Sequence, residues 1–231
     1  MQVEGFASPR EKLWFETRVA DALMSSFRDT GSGRKWRLVA IACCRRILHL
    51  VQSKRMKKLL ETSEMFADGH IDRNRLDDAL LSAVNAVSAT TAFLPEVRAI
   101  SGAAQAKFSV RGVARFCRKA AFNGRKADKR RASPNDGQDP EMIAQLELTR
   151  DIFGNPFRPA VINPNWLIWN DGIVEKLVRT IYDERRWGIM PVLGDALEDA
   201  MCDNTDILDH CRGPGPHVRG CWVVDLILGK E

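Results

Sequence analysis

WVVDLIL, residues Trp222 to Leu228, decides the fold class. Its β-branched and aromatic residues make it the one run in the chain that competes for a strand. If it is helix, the whole sequence reads as all-α. It follows Pro216, which suits a first helical turn, and it stops at Gly229, which suits a left-handed cap. The pattern therefore predicts a helix over about 216–229.

Working outward, three more short helices are expected over about 171–185, 189–201 and 204–212, bounded by Gly172, Pro191 and a cap at Asp203 or Asn204. A helix from Pro140 to Ile152 should stop at FGNPFRP, where Gly154, Pro156 and Pro159 forbid continuation. NPNWLIWND, residues 163–171, reads as an extended or irregular anchor. At the other end, Ser8-Pro9-Arg10-Glu11 has the residues of a capped helix start, and Leu13, Trp14, Val19, Leu23 and Phe27 supply its apolar positions. After the loop DTGSGR, Trp36, Val39, Ala40, Cys43, Ile47 and Leu50 recur at spacings of three and four, the buried stripe of a helix. A helix over about 54–68 ends at Gly69, and another runs from a cap at Asp72 through Leu76, Leu80, Val84 and Val87 toward Pro95. Residues 96–123 read as further helix interrupted by Gly102 and Gly112.

NGRKADKRRASPNDGQDP is the only convincing linker. The expected organisation is thus a basic helical region over 1–123, a polar linker over 124–138 and an acidic helical module over 139–231. The fold class is all-α, an irregular multi-helix bundle that can divide into two helical subdomains.

With 231 residues, 45% hydrophobic and 28% charged, the chain has ordinary globular composition. The formal charge of +5 conceals a polarity. Residues 1–131 hold 26 Lys and Arg against 13 Asp and Glu, and residues 132–231 hold 9 against 17, so the two parts should attract each other. An evenly basic nucleic-acid binder would not look like this. No signal-peptide core and no run of about 18 apolar residues is present, so the expected location is cytoplasmic, with no membrane partner. The six cysteines are then expected as buried thiols rather than disulfides.

RKWRLVAIACCRRILHL, EMFADGHIDRNRLDDA, RDIFGNPFRP, WNDGIVEKLVRTIYDERRW and PVLGDALEDAMCDNTDILDHCRGPGPHVRGCWVVDLILGK occur in that order. In this the chain resembles a family of bacterial proteins of unknown function that occur in many copies per genome. The likeness covers most of the chain and is most specific over 150–230. Where such relatives often read Cys-x-Cys-Cys, this chain has Ile41-Ala42-Cys43-Cys44. The resemblance implies kinship and no activity, cofactor or catalytic residue.

Five of the ten Cys and His residues, Cys202, His210, Cys211, His217 and Cys221, fall within 20 positions, a density that invites zinc. On one continuous helix His217 and Cys221 would point the same way and make one ligand pair. The second pair, Cys202 with His210 or Cys211, must come from two helices, and no Cys-x-x-Cys spacing supports it. The plainer reading is preferred: Cys211 and Cys221 share a core across the Gly-Pro-Gly-Pro corner, Trp222 locks it by burial, and His217 caps or hydrogen-bonds locally. His217, Cys221 and Asp225 also fall at i, i+4 and i+8, a nucleophile spacing, but a cysteine opening an apolar run is poorly placed to form thiolate. Arg212 and Arg219 are expected to satisfy Asp206, Asp209 or Asp225 rather than bind an anion at the last helix.

The stretch from Lys107 to Arg131 carries ten basic residues and one acid, with Phe108, Phe116 and Phe122 interspersed. Arg111, Arg115, Arg118, Lys119, Arg125, Lys126, Lys129, Arg130 and Arg131 could contact phosphates. The economical alternative is a basic amphipathic helix with the phenylalanines on its buried side. The functional expectation is a non-catalytic helical interaction or scaffold protein with an unidentified protein partner. The alternative is a regulator that binds zinc through the Cys/His cluster or nucleic acid through the basic stretch.

Overall fold

The computed structural model describes residues 8–125 and 139–230. Most of the expected linker, 126–138, lies outside them. Among the described residues there are thirteen α-helices and no strand, so the fold is all-α. The chain divides into two compact units, 1–146 and 147–231. No helix among the described residues is long and apolar enough to cross a membrane.

The first unit contains α1 (Pro9–Glu16), α2 (Ala20–Ser26), α3 (Gly33–Arg46), α4 (Lys54–Ala67), α5 (Arg73–Asn85), α6 (Pro95–Ala104) and α7 (Val110–Arg125). The Ser8 hydroxyl accepts from Glu11 N and the Asp72 carboxylate from Arg75 N, so the expected caps start α1 and α5. Helix α3 is the centre, packed by α4, α6 and α7. That position buries every residue from Trp36 to Cys44 and not merely the expected stripe. Arg37 is buried with them because its guanidinium donates to Ala103 O at 2.5 Å and Gln105 O at 3.1 Å and lies against Phe66 and Phe108. Burial, with Arg73 nearby, brings its pKa down to about 10.

Helix α5 ends at Asn85, short of the expected Val87, and leaves Val84 exposed. The region read as further helix over 96–123 is two helices, α6 and α7, separated at Gln105–Ser109 and not at Gly102 or Gly112. In α7 the buried side is Val113, Ala114, Cys117 and Ala120, while Phe116 and Phe122, like Phe108 ahead of the helix, are only half-buried.

Helix α8 (Pro140–Phe153) crosses the unit boundary, which falls after Leu146 rather than at the linker. Its first turns are tied to the first unit by polar contacts. Arg46 Nε donates to Glu141 at 2.9 Å, Arg118 to Gln145 Oε1 at 2.6 Å, and Gln145 Nε2 to Ala114 O at 3.0 Å.

The second unit continues with α9 (Pro164–Ile168), α10 (Ile173–Glu184), α11 (Met190–Asp199), α12 (Thr205–Arg212) and α13 (Trp222–Leu228). Helix α10 packs on α11 and α13, and α11 on α12, around a core that includes Val178, Leu193, Ile207, Cys211 and Val224. NPNWLIWND is not extended: Asn163 caps α9 and Pro164 opens it, and a 3-10 turn follows in which Asn170 and Asp171 take positive φ. WVVDLIL is helix, as its termini imply, but α13 begins at Trp222 and not near Pro216. Gly215 and Gly220 hold φ of +82° and +96°, so residues 213–221 run as a loop.

Gly154, at φ +65°, ends α8. A Cβ built there would meet Trp222 Cγ at 2.8 Å. Gly154→Ala combines left-handed strain with overpacking and is expected to cost about 2–4 kcal/mol. Denaturant unfolding followed by tryptophan fluorescence measures it, and an unchanged midpoint contradicts this packing.

Candidate metal centre

Four donor groups converge in the second unit: Asp151, His210, His217 and Cys221, whose ligand atoms all lie within 4.8 Å of one another. Each comes from a different local structure. Asp151 stands in the last turn of α8, which Gly154 terminates. His210 is in the last turn of α12, a helix started by Asn204, whose side chain accepts from Ile207 N at 3.1 Å. His217 comes from the loop after Gly215-Pro216, and Cys221 is the N-cap of α13.

Asp151 is the hub. Its Oδ1 is 3.2 Å from His210 Nε2 and 3.2 Å from His217 Nδ1, and its Oδ2 accepts from Val218 N at 3.0 Å. That backbone bond fixes the carboxylate with one oxygen turned to the histidines. His210 Nε2 is also 3.1 Å from Cys221 Sγ. The site is largely closed: side-chain exposure is 3% at Asp151, 8% at His217 and 19% at His210, and Cys221 is fully buried. The His210 and His217 rings meet edge-on at 4.9 Å, and Trp222 lies against His210 at 5.2 Å. A cavity of about 290 Å³ bordered by Glu147, Arg150, Asp209 and the Gly213–Pro216 loop opens beside it.

Hydrogen bonding alone satisfies this cluster poorly. One imidazole nitrogen has either one N–H or one lone pair, and His210 Nε2 faces a carboxylate oxygen and a sulfur at once. His217 meets Asp151 through Nδ1, and its other ring nitrogen, Nε2, is buried with no hydrogen-bond partner among the described residues, which an ion on Nδ1 would not change. Burial first, and then the Asp151 charge, push the Cys221 thiol well above its usual range. A cation at the centre of the four donors would favour the thiolate against both effects. Bonds of about 2.0–2.3 Å to N, O and S imply tetrahedral edges of about 3.3–3.6 Å; three of the contacts here, at 3.1–3.2 Å, are close to that, while the four donors together span up to 4.8 Å and would draw in around an ion.

Of the five sequence candidates, His210, His217 and Cys221 are brought together and Cys202 and Cys211 are not. Those two thiols lie in the apolar core, and burial pushes Cys211 up to about 12. His217 and Cys221 do not share a helix face; the loop, not helical spacing, unites them. The nucleophile spacing fails for the same reason: Asp225 is buried in α13, and the histidine beside Cys221 is His210. Trp222 is only half-buried, so it is a cover for Gly154 and His210 more than a core plug. Arg212 pairs with Asp195 at 2.9 Å and Glu198 at 2.5 Å, not with Asp206, Asp209 or Asp225. Arg219 lies over the Tyr182 ring at 4.3 Å. The sequence does not mark Asp151, because its partner His217 is 66 residues away and its local sequence reads only as a helix end.

In the basic stretch, Arg111, Arg115 and Lys119 form an exposed row on α7. Arg118 is not on that surface: it is 1% exposed and bound to Asp21 and Gln145. Arg125 ends α7, and Lys126, Lys129, Arg130 and Arg131 lie outside the described residues.

No protein-family model, curated protein or solved structure matches the chain.

Proposed function

We propose that the second unit is a zinc-binding helical module, with Asp151, His210, His217 and Cys221 as the ligands. The observation that carries the reading is the convergence of four chemically suitable donors, from four separate segments, to within 4.8 Å. Two neutral imidazoles, one carboxylate and one thiolate neutralise a dication, so the buried site carries no net charge. The mixed N, O and S donor set suits a borderline ion, and zinc tolerates such a tetrahedron without electronic preference. Four protein donors fill the coordination sphere. The ion's role is therefore structural: it ties the end of α8 to the end of α12, to the Gly-Pro-Gly-Pro loop and to the start of α13. This makes the module a rigid support for interaction with a protein partner rather than a catalyst.

Cobalt(II) titration tests the ligand set. The expected result is an intense tetrahedral visible spectrum with a thiolate-to-cobalt band in the near ultraviolet, and Cys221→Ala removes that band while Cys202→Ala and Cys211→Ala keep it. A weak octahedral spectrum without the near-ultraviolet band contradicts the assignment.

A further inference from the structure

The first unit contains a second feature, independent of the metal centre. A cavity of about 620 Å³ is lined by residues from the end of α2, the start of α3 and the start of α7. Its volume is that of a small-molecule site. The described lining includes Arg28 and Arg111 and no carboxylate. Gly33 and Val110 open α3 and α7, so the positive ends of two long helices add to the arginine charge.

The apolar wall is fixed in advance. Trp36 is buried, and its Nε1 donates to Thr30 O at 2.9 Å, which holds the indole. The Phe108 ring has the Arg37 guanidinium 4.5 Å from its centroid, and Arg37 is itself anchored on the Ala103 and Gln105 carbonyls. Within the lining, Arg111 Nη1 donates to Ser25 Oγ at 2.7 Å. This tether uses one of the five guanidinium N–H groups and positions the others. Arg28 is 78% exposed, and the carboxylate 3.8 Å from it, that of Asp29, is still more so, at 93%. That weak pair does not hold it from an incoming anion.

We propose that this cavity binds a small amphiphilic anion, a phosphate or carboxylate group held by Arg28 and Arg111 and joined to a planar apolar ring that rests on Trp36 and Phe108. Neither half suffices. The exposed arginines alone give weak, salt-sensitive binding, and the aromatic wall alone selects no charge. The pre-set wall lowers the ordering cost that would otherwise offset the ring's contribution.

Isothermal titration of the full chain tests this with AMP and indole-3-acetate as the phosphate and carboxylate probes, and with adenosine and inorganic phosphate as the separate halves. At least one whole anion is expected to bind with Kd below about 1 mM and each half at least roughly tenfold more weakly. Preference for AMP assigns the anion as a phosphate, and preference for indole-3-acetate assigns it as a carboxylate. Arg28→Ala with Arg111→Ala should weaken binding by roughly tenfold or more, an effect of charge-assisted hydrogen bonds. Gly33→Leu should abolish it. Gly33 lines the cavity and a Cβ there meets nothing within 4 Å, so a larger side chain has room at its base. The proposal is overturned if neither anion binds at about 10 mM, if phosphate alone binds as tightly as AMP, or if both variants bind as the wild type does.

Discussion

Removing the metal with a strong chelator should destabilise the second unit by about 4 kcal/mol or more, the linkage expected for an ion present at about a thousand times its Kd. The size follows from what is left behind. Without the cation, a buried thiol, a buried carboxylate and two histidines are crowded at contacts of 3.1–3.2 Å around a centre they cannot all satisfy. Trp166, Trp169, Trp187 and Trp222 all lie in this unit, so tryptophan fluorescence largely follows its unfolding. Each kcal/mol corresponds to about 4–8 °C for a unit of this size, which makes the shift large. His217→Ala should reproduce the loss in the absence of chelator, and chelator should then add little. If the site were only a hydrogen-bonded corner, His217→Ala would cost about 1 kcal/mol or less and chelator would do nothing.

The second large effect lies in the first unit. Asp21→Ala should cost about 3–5 kcal/mol, because it strands a buried guanidinium. Arg118 is 1% exposed, and its Nη2 is 2.9 Å from both Asp21 oxygens. Nη1 meets Gln145 Oε1 at 2.6 Å, and Nε is buried with no hydrogen-bond partner among the described residues. A guanidinium cannot relieve its burial by losing a proton in the way a lysine can. The reverse substitution is milder. Arg118→Met fills the same volume and leaves Asp21, whose side chain is 29% exposed, free to turn to water, at an expected cost of about 1–3 kcal/mol. Urea unfolding of both variants orders them, and Arg118→Met proving the worse would contradict the account.

The termini of the helices were legible because they are local: Ser8, Asp72 and Asn204 each bind a backbone N–H three residues ahead. Element type was legible in WVVDLIL for the same reason. Its start was not. Pro216 looks like a first-turn proline, but Gly215 and Gly220 hold positive φ and keep the intervening chain in a loop. That loop is what swings His217 and Cys221 together, so the misplaced helix start also hid the geometry of the centre. All-round burial of α3 was invisible because it depends on α4, α6 and α7, not on the periodicity of α3 itself. Arg118 looked like one more charge in a basic run, and its partners Asp21 and Gln145 are 97 and 27 residues distant. The histidines and Cys221 could be picked out by density, whereas Asp151 could be found only once α8 was placed beside the loop.

Metal content tests the central claim most directly. Elemental analysis by mass spectrometry of the full chain, purified without chelator or affinity metal, should give one zinc per chain. Asp151→Ala and His210→Ala should lose it, while Cys202→Ala and Cys211→Ala should keep it. A wild-type chain without stoichiometric metal after growth and purification with added zinc, or zinc retained in full by Asp151→Ala, would contradict the assignment.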